Sequence, residues 1–123
     1  MEIILVRHGK AEDHGLRVTD YERELTPQGR KKVRYVARGL ANSFLRGVRP
    51  QIWSSPLPRA RQTAQILAAI LSCEVLCEYG EIAAGDLDGL IGYWRKLPED
   101  TTLVIVGHEP YLSQWGMRIA GVI

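Results

Sequence analysis

The chain has little that could staple it or anchor it. Cysteine occurs twice in 123 residues, which excludes the disulfide-dense scaffolds of small secreted domains. Both lie in "CEVLC" (73–77). If that stretch is a strand, four residues at ~3.3 Å each hold Cys73 and Cys77 about 13 Å apart, beyond the ~7 Å a disulfide tolerates. They are expected as buried free thiols in a reducing cytoplasm. Without suitably spaced histidines a Cys-x3-Cys pair is a weak metal signal. No apolar run approaches the ~20 residues that span a bilayer, and the opening "MEIILV" lacks the layout of a secretory signal. Neither sign of charge dominates: 16 Lys+Arg face 14 Asp+Glu, for a net charge of +2. That balance argues against nucleic acid as a partner and leaves anion binding to local placement. A Gly-x-Ser-x-Gly elbow and a Walker-type phosphate loop are both missing.

What is present describes an ordinary globular chain. The hydrophobic fraction is 46% and the charged fraction 24%, which removes the disordered classes. A single domain over 1–123 has room to bury about two-thirds of its unfolded surface.

Strand and helix signals alternate. "EIILV" (2–6) is a short β-branched run suited to a buried strand, and "AEDHGLRVTDYEREL" (11–25) is a polar loop. "TPQGRKKVRYVARGLANSFL" (26–45) reads as a helix. Thr26 is its N-cap, Pro27 takes the first turn, and Val33, Val36, Ala37, Leu40 and Phe44 follow a 3.6-residue period. "RPQIWSS" (49–55) and "CEVLCE" (73–78) give two more strands around a helix over 58–72 with Ala64, Leu67, Ala68 and Leu71 on one face. A weak helix over 86–100, weakened by Gly89 and Gly92, leads to the clearest strand, "TTLVIVG" (101–107), and a last helix over 109–121. Such alternation implies right-handed βαβ units. The expected fold is a three-layer α/β/α sandwich around a mostly parallel sheet.

Ligands of such sheets bind beyond the carboxyl ends of the strands. Those ends deliver Arg7, His8 and Gly9, then Ser54, Ser55 and Arg59, then Glu81, then His108 and Glu109. Two arginines converging on one pocket suit a phosphate through forked donors, aided by the first turns of the following helices. A metal held by His8, His108 and Glu81 would lie beside two guanidinium groups, and that repulsion disfavours it. Neither a metal nor a cofactor is expected. A neutral imidazole can instead attack phosphorus in line while arginines neutralise the equatorial oxygens and a carboxyl group protonates the leaving atom.

"VRHGKAE", "LTPQG", "SSPLPRARQTA" and "LVIVGHEP", in that order, resemble the histidine phosphatase (phosphoglycerate mutase-like) superfamily. The short spacing after "RHGKAE" is most similar to its SixA-type phosphohistidine phosphatase branch. The resemblance runs from Ile3 to about Leu112. It implies His8 as the phosphorylated nucleophile, with Arg7, Arg59 and His108 completing the phosphate pocket and Gly9 beside it. By position, Glu81 matches the region where many members keep their acid. Between Glu81 and His108 there is room for one helix and a strand but for no lid domain. The open pocket favours a phosphate presented on a protein. The expected substrate is therefore protein phosphohistidine, with small phosphate esters or sugar phosphates as the alternative and a catalytically impaired phospho-group binding module as the non-enzyme reading. The family continues past its final helix into further strands, whereas this sequence stops at "AGVI" (120–123). A fragment and a naturally short member both fit. A missing edge strand would invite a partner chain, so the oligomeric state is open.

Other residues have plainer readings. Arg61 is expected as a solvated helix residue, and His14, Glu12 and Asp13 as the rim of the loop after His8. Trp53, Trp94 and Trp115 belong to the core. "GRKKVRYVAR" (29–38) carries five basic residues. They read as a solvated face, with docking of an acidic partner as the alternative.

Overall fold

The computed structural model describes residues 1–13, 15, 19–73 and 75–120. His14, placed on the rim from the sequence, lies outside the described residues. Four strands, β1 (Glu2–Arg7), β2 (Gln51–Ser54), β3 (Val75–Glu78) and β4 (Thr102–Gly107), form one sheet in the order β1-β4-β2-β3. Every pairing is parallel, from Glu2↔Thr102 to Arg7↔Gly107, from Gln51↔Leu103 to Ser54↔Val106, and from Gln51↔Val75 to Ser54↔Glu78. The register brings all four carboxyl ends to one edge.

Helices cover both faces. Side chains alternate across a strand, and β4 shows the consequence. Val104 and Val106 join one core cluster, while Leu103 and Ile105 join the other, and all four are fully buried. The first cluster takes in Val33 and Ala37 of α1 (Pro27–Ala41) and Ala60, Ala64 and Leu67 of α2 (Pro58–Leu71). The second takes in Ile82 of α3 (Gly80–Ala84), Leu87 and Leu90 of α4 (Leu87–Trp94), and Leu112 and Trp115 of α5 (Tyr111–Ala120). This is the expected α/β/α sandwich.

Local chemistry sets most element ends. Thr26 accepts a hydrogen bond from the Gly29 N–H at 2.9 Å and Pro27 follows it, as the sequence predicts. The far end differs. α1 stops at Ala41 rather than continuing to 45, and the Leu45 N–H turns back onto the Leu40 carbonyl at 2.9 Å. Leu45 then enters the core, while Phe44 is 83% exposed and Val36 42% exposed. The 3.6-residue period cannot place Phe44 once the helix has ended.

The stretch before β4 holds two helices. A short α3 precedes α4, whose first turn is capped by Asp86 accepting from the Gly89 N–H at 3.0 Å. Cys73 precedes β3 and Cys77 lies on it. Both are free and half-buried rather than buried, because β3 is an edge strand with solvent on one side. Trp53 and Trp115 are buried and Trp94 is partly buried against the second cluster.

Candidate active site

β1 ends at Arg7 and hands over to His8 and Gly9. Gly9 is wedged against α1: a Cβ there would lie 2.7 Å from the Val33 methyl and 3.3 Å from the Gly29 carbonyl oxygen. Its N–H donates to the Thr63 hydroxyl at 3.0 Å, and that hydroxyl donates to the Arg59 carbonyl at 2.8 Å. One buried threonine on α2 therefore ties the His8 turn to the turn carrying Arg59. The loop beyond is closed at its base by the Thr26 N–H on the Lys10 carbonyl at 2.9 Å and the Glu12 N–H on the Glu24 carbonyl at 2.8 Å.

The His8 Nδ1 lies 2.7 Å from the Gly9 carbonyl oxygen. A carbonyl only accepts, so Nδ1 carries the proton and a neutral ring keeps its lone pair on Nε2. The His8 and His108 ring centroids are 5.1 Å apart. The His108 Nε2 is hydrogen-bonded to the Ser55 hydroxyl at 2.8 Å, and the ring is buried. Burial lowers the pKa of both imidazoles. For His8 the positive charges of Arg59, Arg7 and Arg23 add to that effect, while the Gly9 carbonyl opposes it. For His108 burial, then His8 and Arg59, outweigh Asp20 and bring the value down to about 4. Both rings are thus held neutral near pH 7.

Arg59 is also buried. It donates to the Asp20 backbone carbonyl at 3.1 Å, and its Nη2 lies 3.5 Å from the Asp20 carboxylate. Asp20 opens a single 3-10 turn, Asp20–Glu22, and its carboxylate accepts from Arg23 at 2.8 Å. Arg23 belongs to the stretch over 11–25 that the sequence shows only as a polar loop. Its charge acts on both His8 and Arg59. An arginine on the segment crossing the carboxyl edge, two residues before "LTPQG", was the available signal. Arg7 is exposed beside His8.

The fold gathers Arg7, His8, Gly9, Arg59 and His108. Glu81 stands apart. It lies in the first turn of α3, not in a loop, and accepts from the Tyr93 hydroxyl at 2.6 Å. That bond holds its carboxyl below the usual range. No described contact joins it to either histidine. Arg61 points to solvent in a bidentate pair with Glu78 at 2.9 and 3.0 Å. No cluster of three or more His, Cys, Asp or Glu suited to a metal occurs among the described residues. Likewise no described helix is long and apolar enough to cross a membrane.

Two histidines and several guanidinium groups meet at the carboxyl edge of a parallel sheet, a donor set whose chemistry suits an anion. The family model of the histidine phosphatase superfamily (branch 1) matches residues 3–119, and the chain belongs to that superfamily. An uncharacterised protein of Picosynechococcus sp. is 38% identical over 98% of the chain and 73% of its own length. A probable phosphoglycerate mutase of Photorhabdus laumondii is 29% identical over 83% of the chain, and the match spans about half (51%) of that mutase. The protein histidine phosphatase SixA, solved with tungstate, has the same fold, with a TM-score of 0.83 at 22% identity over 95% of this chain and 75% of that one.

Proposed function

We propose that the chain is a phosphatase that works through a phospho-His8 intermediate, with phosphohistidine on a protein as its substrate. The observation that carries the reading is the His8–Gly9 hydrogen bond. It fixes the proton on Nδ1 and leaves Nε2 as the nucleophile, in a ring that burial and arginines keep neutral. In the first half-reaction Nε2 bonds to phosphorus, the bond from phosphorus to the substrate nitrogen breaks, and that nitrogen takes up a proton. In the second, water attacks phosphorus, the P–Nε2 bond breaks, and inorganic phosphate leaves.

Arg7, Arg59 and Arg23 neutralise charge on the transferring group, and neutral His108 donates to one of its oxygens. Gly9 lets the backbone approach closely. Two points favour phosphohistidine. Its P–N bond is labile and needs little help from an acid, which fits a site whose expected acid, Glu81, is half-buried, engaged by Tyr93 and kept ionised. The resemblance to SixA in fold points the same way. The mutase relative favours a second reading, a small phosphate ester handled by the same residues.

The test is a side-by-side assay on a phosphohistidine protein and a panel of small phosphate esters, with His8→Ala as the control. The expected result is preference for the phosphoprotein and a loss of at least ~10³-fold in His8→Ala. Equal turnover by His8→Ala would sink the mechanism. Phosphate binding without turnover would leave a binding module.

A further inference from the structure

We infer that the outward face of α1 is the docking surface for an acidic segment of the phosphoprotein substrate. The inference rests on the proposed function and adds the chemistry of the partner. α1 carries Arg30, Lys31, Lys32, Arg34 and Arg38 and no acidic residue in its 15 positions. Among the described ion pairs none engages these five. Lys31, Lys32, Tyr35, Val36 and Arg38 are all exposed. At 100° per residue Lys31, Tyr35 and Arg38 lie opposite the buried stripe of Gly29, Val33 and Ala37, while Lys32 and Val36 lie on the flank between that side and the stripe. Tyr35, 77% exposed, stands between Lys31 and Lys32 on the outward side, and Val36, 42% exposed, lies nearer the stripe. Interfaces are enriched in aromatic residues placed among cations in this way, because rigid aromatic area is gained there at low entropic cost.

The face is continuous with the reaction site. A cavity of about 500 Å³ beside His8 is bounded by Arg7, Lys10, Arg23 and Lys32, with Val36 and Leu67 in its wall. Lys32 and Val36, on the flank of α1, thus link the cavity to the outward side. A segment presenting carboxylates around one or two apolar side chains matches the cations, Tyr35 and the Val36 flank. Its phosphohistidine can then lie toward His8. Net charge plays no part in this: the chain is only +2, so the steering is local.

The test compares wild type with Lys31→Glu/Arg38→Glu and with Tyr35→Ala, whose side chains lie outside the cavity. Hydrolysis of an aryl phosphate is expected within about twofold of wild type, whereas kcat/KM on an acidic phosphohistidine protein falls about tenfold or more, through KM, and the deficit shrinks as salt is raised. Equal losses on both substrates, or no loss on the protein, would overturn the inference. Binding of an unphosphorylated peptide of alternating glutamate and leucine, followed by fluorescence anisotropy, separates docking from the choice of substrate. If wild type binds this peptide and the double variant does not, the docking surface stands even where only small esters are hydrolysed. If a single-stranded oligonucleotide of equal charge binds and the peptide does not, the surface belongs to nucleic acid and the inference falls.

Discussion

His8 and His108 are held neutral by the same physics, burial beside positive charge, yet their hydrogen bonds differ. His8 is fixed by a carbonyl, which settles its proton, and His108 by a hydroxyl, which can give or take one. Glu81 is the residue on which sequence position and structure diverge. Its order in the chain matched an acid, but its carboxylate is engaged by Tyr93 and held ionised. On the proposed reading, Glu81→Gln keeps phosphohistidine hydrolysis within about threefold of wild type. Steady-state kinetics on a phosphohistidine protein check this. A hundredfold drop would show that the leaving nitrogen depends on this carboxyl.

Elements deliver these residues through their ends, so caps and stops matter more than lengths. The sequence showed the N-terminus of α1 because a Thr-Pro pair states its own geometry, and Thr26 caps as expected. Thr26→Ala should cost about 1 kcal/mol. Urea unfolding with an unchanged m-value would show this as a lower midpoint. The stop of α1 was not legible. Nothing local distinguishes Phe44 from Val33 in a periodic pattern; Leu45 displaced Phe44 from the core because the chain turned first. Likewise α3, at five residues, is too short to leave a period. It forms where Ile82 packs onto the sheet end, 2.9 Å from where a Cβ on Gly107 would sit.

At the scale of the molecule, burial of the two imidazoles couples folding to the protonation of the site. The His108 pKa is about 4 when folded and 6.5 otherwise. The unfolded chain therefore takes up this proton at higher pH than the folded one. The neutral ring's contribution to stability is complete above about 6.5, shrinks as pH falls, and is gone below about 4. His8 acts in the same direction. Between pH 7 and pH 4 wild type should therefore lose more stability than His108→Asn, so the gap between their urea midpoints should close. A gap that stays constant across that range would show that His108 does not titrate with folding.

Order along the chain was enough to read the alternation of strands and helices, the carboxyl-edge rule, and hence Arg7, His8, Arg59 and His108 as one set. Each stands at the last residue of a strand, directly after one, or at the start of the helix that follows, and periodicity with caps marks those points locally. The strand order β1-β4-β2-β3, the place of Arg23 beside His8 and the Tyr93 bond on Glu81 were decided only by tertiary structure. They depend on which loop crosses the sheet edge and which helix packs beneath it, and those are contacts between residues far apart in sequence. The neutral state of both histidines belongs there too, since burial and neighbouring charge do not exist until the chain has folded.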